Sequence, residues 1–264
     1  MNGKYTAMFR IYVKKTMAYR AELSMDMVFF MLSSFVYIFV WAAVYLFSKA
    51  SAIHGITLTN MVVYLLVIGS ISFLSWPGVA NVLEEDMREG TIAAALIRPV
   101  RYIITVFMSQ LPENLFFMAF GMIPILIAIY VLAGLHISAF GALAFAVEIA
   151  MAFLMINLIG FIIGSLSIYL TSIYGILNGI VTLFSILGGG IMPITLFPKF
   201  AYGILMLTPL PYLYFVPGGT FTGLLPPQSL PGVLGIGFAW IAVLAVIATL
   251  LWRKVSVDIN SVGV

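Results

Sequence analysis

Four carboxylates fall within six residues, at Glu84, Glu85, Asp86 and Glu89, with Arg88 among them. They stand in a chain of which only 8% is charged. Carboxylates packed this closely repel one another, so they must stay wet or meet a basic partner. Gly90 is suited to ending a helix, Thr91 to capping the next one before Ile92 to Ile97, and Pro99 to stopping it. The residues predict a short charged helix–turn unit, with a plain solvated acidic loop as the alternative reading.

Other chemistry is excluded more readily than it is found. A phosphate-cradling loop needs closely spaced glycines ending in Lys-Ser or Lys-Thr. Lys4, Lys14, Lys15, Lys49, Lys199 and Lys254 all lack that context, and Gly188-Gly189-Gly190 has no lysine beside it. Cysteine is absent, which removes disulfides, zinc–thiolate sites and thiol nucleophiles. His54 and His136 stand alone, without the His-Glu-x-x-His spacing of a metallohydrolase. No catalytic residue, metal site or bound cofactor is expected in this chain, and no nucleic-acid partner.

The elements that must position the charged unit are membrane spans. Of the 264 residues, 63% are hydrophobic, whereas a soluble domain carries about 25% charged residues to make a wet surface. Apolar runs pass the ~20 residues that a helix needs to cross a bilayer. The fold class expected is an all-α integral membrane protein, a single transmembrane domain over 1–264. Its six spans fall at about 25–47, 59–79, 103–132, 140–170, 175–190 and 234–252. Pro112 and Pro124 interrupt the third span. Ahead of the first, Tyr5, Met8, Phe9, Tyr12, Val13 and Met17 share a helical face, so residues 3–20 read as a basic amphipathic helix lying in the interface. Residues 193–232 hold eight of the twelve prolines yet stay apolar. Irregular backbone near lipid must be buried or line a cavity, which suggests a re-entrant region on the extracytoplasmic face.

Lys and Arg counts set the orientation. With six spans, ten of the twelve basic residues fall on the side of the N-terminus, residues 81–101 and the C-terminus; Lys49 and Lys199 lie opposite. Both termini and the charged segment are expected to be cytoplasmic, in a multi-pass protein of the plasma membrane.

Within the spans, Glu113 and Glu148 lie about nine to ten residues in, roughly 15 Å deep at 1.5 Å per residue. Buried ionisable groups in membranes face a cavity or a partner. Asn114 and Asn157 are candidate partners, and the carboxylates read either as points on a substrate or proton path or as glue between helices. Gly160 and Gly164, and Gly175 and Gly179, form two small-xxx-small pairs suited to close helix packing.

The run Asp86-Met87-Arg88-Glu89-Gly90-Thr91-Ile92-Ala93-Ala94-Ala95-Leu96-Ile97-Arg98-Pro99 resembles the signature of ABC-2-type transporter permeases, in the branch of small six-span export permeases. The resemblance implies that 81–101 is a cytoplasmic coupling segment that docks on a separate ATPase, which binds ATP and Mg. Glu84, Glu85, Asp86, Arg88, Glu89 and Arg98 would be its contact charges, and Gly90 and Pro99 would shape it. It also implies a pair of permease chains, alike or different, whose spans 2 and 5 frame a pathway. Phe73, Trp76, Asn178, Thr182 and Ser185 are then candidate lining residues, beside Glu113, Asn114, Glu148 and Asn157. An amphipathic, lipid-like or drug-like cargo suits so apolar a chain. The rival reading is an ion-coupled secondary transporter working through Glu113 and Glu148.

Overall fold

The computed structural model describes residues 2–74, 76–97, 101–134 and 137–262. Arg98, Pro99 and His136 lie outside the described residues. Apart from a two-stranded hairpin, regular structure is helical. Helix α1 (Asn2–Ala18) leads through Tyr19 into α2 (Arg20–Ser48). Strands β1 (Ala52–Ile53) and β2 (Ile56–Thr57) pair antiparallel, and the Tyr45 hydroxyl on α2 donates to Ile56 O at 2.7 Å. Thr57 caps α3 (Leu58–Ile71) by accepting from Asn60 N, as an N-cap threonine does.

A 3-10 turn and Pro77 separate α3 from α4 (Gly78–Arg88). Helix α5 (Thr91–Ile97) follows Gly90, whose φ of 71° suits glycine at a helix end. Helix α6 (Tyr102–Phe117) widens into a π-turn at Met118–Met122 before α7 (Ile123–Leu132). Pro124 has no N–H for the carbonyl four residues back, and a π-bulge is one way a helix absorbs that loss. Then come α8 (Ala139–Ser165), α9 (Tyr174–Leu187), α10 (Lys199–Met206), α11 (Phe215–Thr222) and α12 (Leu230–Val262).

Five stretches are long and apolar enough to cross a membrane: Arg20–Ser48, Leu58–Arg88, Tyr102–Leu132, Ala139–Ile168 and Pro227–Ile259. The fifth span expected at 175–190 is not among them. Helix α9 has 14 residues, about 21 Å at 1.5 Å per residue, against a hydrocarbon core of about 30 Å. The glycine run stops it, with Gly189 at φ 97°. The segment beyond is built of short helices and 3-10 turns, and its prolines stand at the N-cap or in the first turn of an element, where no N–H is needed for the helix ladder.

This irregular backbone is satisfied from three sides. Phe215 N donates to Gly188 O at 3.0 Å, the buried Tyr64 hydroxyl to Gly189 O at 2.6 Å, and Trp41 Nε1 to Ile191 O at 3.0 Å. Non-helical backbone among spans needs such donors.

Helices α4, α8 and α12 run side by side in one direction. Gly160 faces Pro77 and Gly164 faces Ala80 and Leu83. Gly237 faces Met151, and Tyr169 donates to Asp258. The membrane-crossing segment expected to end at 79 therefore continues as packed helix to Arg88, because Val79, Ala80 and Leu83 present a buried face to α8. At their ends Tyr102 stacks on Trp252, whose ring also meets Phe161.

The two glycine pairs behave differently. A Cβ at Gly164 would lie 2.9 Å from Ala80 Cα, whereas at Gly179 nothing stands within 4 Å. Gly179→Ala is expected to stabilise by about 0.5–1 kcal/mol through helix propensity, and Gly164→Ala to destabilise by about 1–3 kcal/mol through overpacking. Thermal unfolding in detergent measures both, and the same sign for the two would contradict this packing.

Candidate functional site

The charged unit is more internally tied than its composition suggests. Helix α4 ends at Arg88, Gly90 turns the chain, and α5 begins at Thr91. Asp86 lies across that turn: its Oδ1 accepts from Thr91 Oγ1 at 2.7 Å and its Oδ2 from the Tyr102 hydroxyl at 2.5 Å. It therefore locks α4 to α5 and to the start of α6. Glu84 Oε1 accepts from Ile173 N at 3.0 Å. Ile173 is the N-cap of α9 and fully buried. A carboxylate at a helix N-terminus satisfies a free N–H and complements the dipole. Glu84 thus joins the charged unit to α9. Glu85, Arg88 and Glu89 remain exposed, free to meet another molecule.

The same end of the bundle carries the turn between α8 and α9. Tyr169 is exposed and donates to Asp258, and that hydrogen bond raises its phenol above the ordinary range. A groove of about 330 Å³ runs between this turn and the charged unit, walled by Met87, Ile92, Ile168 and Ile259 with Glu84 and Arg88 at its edge.

Deeper in the bundle lies a cavity of about 200 Å³ between α2, α3, α9 and the chain after the glycine run. Its polar lining is hydroxyl: Ser33, Ser34 and Tyr37 from α2, Ser72 from the turn after α3, Ser185 from α9, and Tyr214. Ser185 Oγ lies 3.4 Å from the Tyr214 hydroxyl. Trp76 stands on the wall, and among the described residues no charged side chain lines it. Ser33, Ser72 and Ser185 donate to backbone carbonyls on their own helical turns, so their oxygens offer this space uncharged hydrogen-bond acceptors.

Of the candidate pathway residues, the fold brings Trp76 and Ser185 together here. Phe73 stacks on Phe117 instead, centroids 5.4 Å apart. Asn178 donates to Tyr174 O on its own helix, and Thr182 is exposed. Asn114 donates to Gln110 O and Asn157 to Phe153 O, so neither amide donates to a carboxylate. Glu148 is 1% exposed; Oε1 accepts from Thr220 Oγ1 at 3.0 Å, and Oε2, like Asn157 Oδ1, has no partner among the described residues. Glu113 opens instead on a cavity between α1, α2, α4 and α6. The hydroxyls of Ser33, Ser34 and Tyr37 escape a search for charged groups. Their signal is spacing, with Tyr37 at i+3 and i+4 from the two serines on one helical face.

Among the described residues no three His, Asp or Glu come together in a way that could hold a metal ion.

Long apolar helices around a hydroxyl-lined cavity, with a rigid charged unit at one end, define a polytopic membrane transport protein. A family model described as ABC-2 family transporter protein matches residues 29–263, and the chain belongs to that family. No curated protein and no solved structure matches it.

Proposed function

We infer that this chain is the permease subunit of an ATP-driven exporter, moving an amphipathic, lipid-like or drug-like cargo out of the cytoplasm with energy from separate ATPase subunits. The observation that carries the reading is the α4–α5 unit. It exposes Glu85, Arg88 and Glu89, while Glu84 ties it to α9, a wall of the hydroxyl-lined cavity. A push at the charged end reaches the cavity through one hydrogen bond and one helix. That is the two-state coupling an ATPase can bias.

Parallel α8 and α12 support six crossings in place of five. Both run toward the charged end, so the chain between them must return, and α9 with α10 and α11 completes that crossing as a re-entrant segment. The charged end is then cytoplasmic, with both termini, in the plasma membrane, and α1 rests at that interface. The exposed face of α9, open at Gly175 and Gly179, fits a second permease chain across the pathway. The ion-coupled alternative rests on the unpartnered Glu148 Oε2.

Reconstitution of the permease with its ATPase in proteoliposomes separates the two. Export of fluorescent phospholipid or amphiphilic dye is expected to require ATP and both subunits, and to survive collapse of proton and sodium gradients. Transport driven by an ion gradient without ATP would transfer the mechanism to Glu148.

A further inference from the structure

We propose that the outward face of α1 binds the headgroups of anionic phospholipids, so that charge holds this helix to the membrane surface. Lys4, Arg10, Lys14, Lys15 and Arg20 put five of the twelve basic residues into the first twenty positions, which hold none of the nine acidic ones. Packing decides which way these charges point. Tyr5, Met8, Phe9, Tyr12 and Val13 are half-buried and Thr16 is buried, where α1 lies against α6. The apolar face that the periodicity picks out is therefore taken up by protein rather than by lipid. Lys4, Arg10 and Lys14 fall on the opposite face at 3.6 residues per turn, and all three are exposed.

The carboxylates nearest this helix stand on its inner side. Glu22, Asp26 and Glu113 line the cavity that α1 shares with α6, together with Tyr12, Lys15 and Thr16. The outer face is not purely polar either. Ile11 is 65% exposed between Lys4 and Lys14, and Met17 is 46% exposed one turn beyond Lys14. Side chains of both kinds on one face suit the boundary between headgroups and acyl chains. There Ile11 and Met17 enter the apolar edge, while the long basic stems reach out to phosphate.

The fold puts α1 at that level. It leads through Tyr19 into α2, which is long and apolar enough to cross a membrane, and it shares a cavity wall with Tyr102 and Thr105 in the first turn of α6. Basic clusters on a helix at a membrane surface attract anionic lipid, each Lys or Arg being worth about a fivefold preference.

Lipid binding by α1 requires neither ATP nor an ATPase, so it is measured on the permease alone. The chain has no cysteine, and Ile11→Cys gives a single point for a fluorophore on the outer face. In phosphatidylcholine proteoliposomes, quenching by phosphatidylglycerol brominated close to its headgroup is compared with quenching by phosphatidylcholine brominated at the same carbons. Phosphatidylglycerol is expected to be enriched about fivefold or more around the label, and the enrichment to fall as salt rises. Lys4→Gln, Arg10→Gln and Lys14→Gln together are expected to bring the two lipids to parity, whereas Lys4→Arg with Lys14→Arg keeps the enrichment. The same label at the exposed Phe200→Cys, beside the single Lys199, is expected to show near parity from the start. Equal quenching by the two lipids at Ile11→Cys, or enrichment unmoved by the triple variant, overturns the proposal. Loss of the ATPase from the triple variant with lipid enrichment unchanged does so as well, and assigns the basic face to that partner.

Discussion

Reversing Glu85 and Glu89 to lysine is expected to abolish co-purification of the permease with its ATPase while the long helices still insert. Both side chains are exposed on α4 and at its C-terminal cap, on either side of Arg88. Neither enters an intramolecular tie of the kind made by Glu84 and Asp86. Reversal at a complementary charged surface juxtaposes like charges, which costs more than truncation. Two reversals should weaken assembly by at least about a hundredfold, taking a tenfold loss for each about 1.4 kcal/mol. The wild-type complex should loosen as salt rises, because exposed charges are screened. Lys49→Glu with Lys199→Glu, an equal change of charge at the opposite end, should retain the ATPase. Full recovery of the ATPase with the Glu85 and Glu89 reversals would remove docking from this unit. Reversal of Glu84 or Asp86 is the poorer test. Those carboxylates hold α9, α5 and α6 in place, so their loss confounds docking with local structure.

That distinction marks where sequence reading stops. The turn at Gly90 was legible because a helix end that needs positive φ selects glycine, and the residues on both sides are helical formers. The assignment of Glu84 and Asp86 was not. Charge density says only that carboxylates need partners, and here the partners are a backbone N–H at 173 and a phenol at 102. Neither is in local register with α4.

The membrane spans were legible from hydropathy alone, but the length of α9 was not. Its apolar run continues through Gly188 to Gly190, and only the donors at Tyr64, Trp41 and Phe215 make an open backbone there tolerable. Trp76 and Phe73 lie three residues apart and look alike in an apolar window. Trp76 reaches a cavity and Phe73, in the 3-10 turn Ser72–Leu74, stacks on Phe117. Glu22 and Asp26 stand one turn apart at the start of α2, far in sequence from Glu113 on α6. Only the packing of α6 brings Glu113 onto the same cavity as these two carboxylates, which no local spacing announces.

Glu84→Ala is expected to uncouple ATP hydrolysis from transport without dissociating the complex. Glu84 Oε1 is the acceptor for Ile173 N, and Ile173 is fully buried at the N-terminus of α9. Alanine leaves that N–H unsatisfied, at a local cost of about 1–3 kcal/mol, and cuts the hydrogen bond between the charged unit and α9. On the proposed docking surface Glu85, Arg88 and Glu89 are untouched, so the ATPase is expected to bind and to hydrolyse ATP as before. The displacement of α4 no longer reaches Val181 and Ser185 on the cavity wall. Cargo moved per ATP should fall about tenfold or more, as expected for losing at least 1.4 kcal/mol of coupling between two states. Glu84→Gln keeps an oxygen acceptor at the same reach and should restore most of the ratio, losing only the interaction of a full charge with the helix dipole. A merely structural role predicts otherwise, with hydrolysis, transport and thermal stability falling together and the ratio unchanged. Measured cargo-to-ATP ratios for wild type, Glu84→Ala and Glu84→Gln in the same proteoliposomes decide between them. An unaltered ratio in the alanine variant would sever α4 from α9 as the route of coupling, and the packing of α4 on α8 at Gly160 and Gly164 would become the route from the charged unit into the bundle.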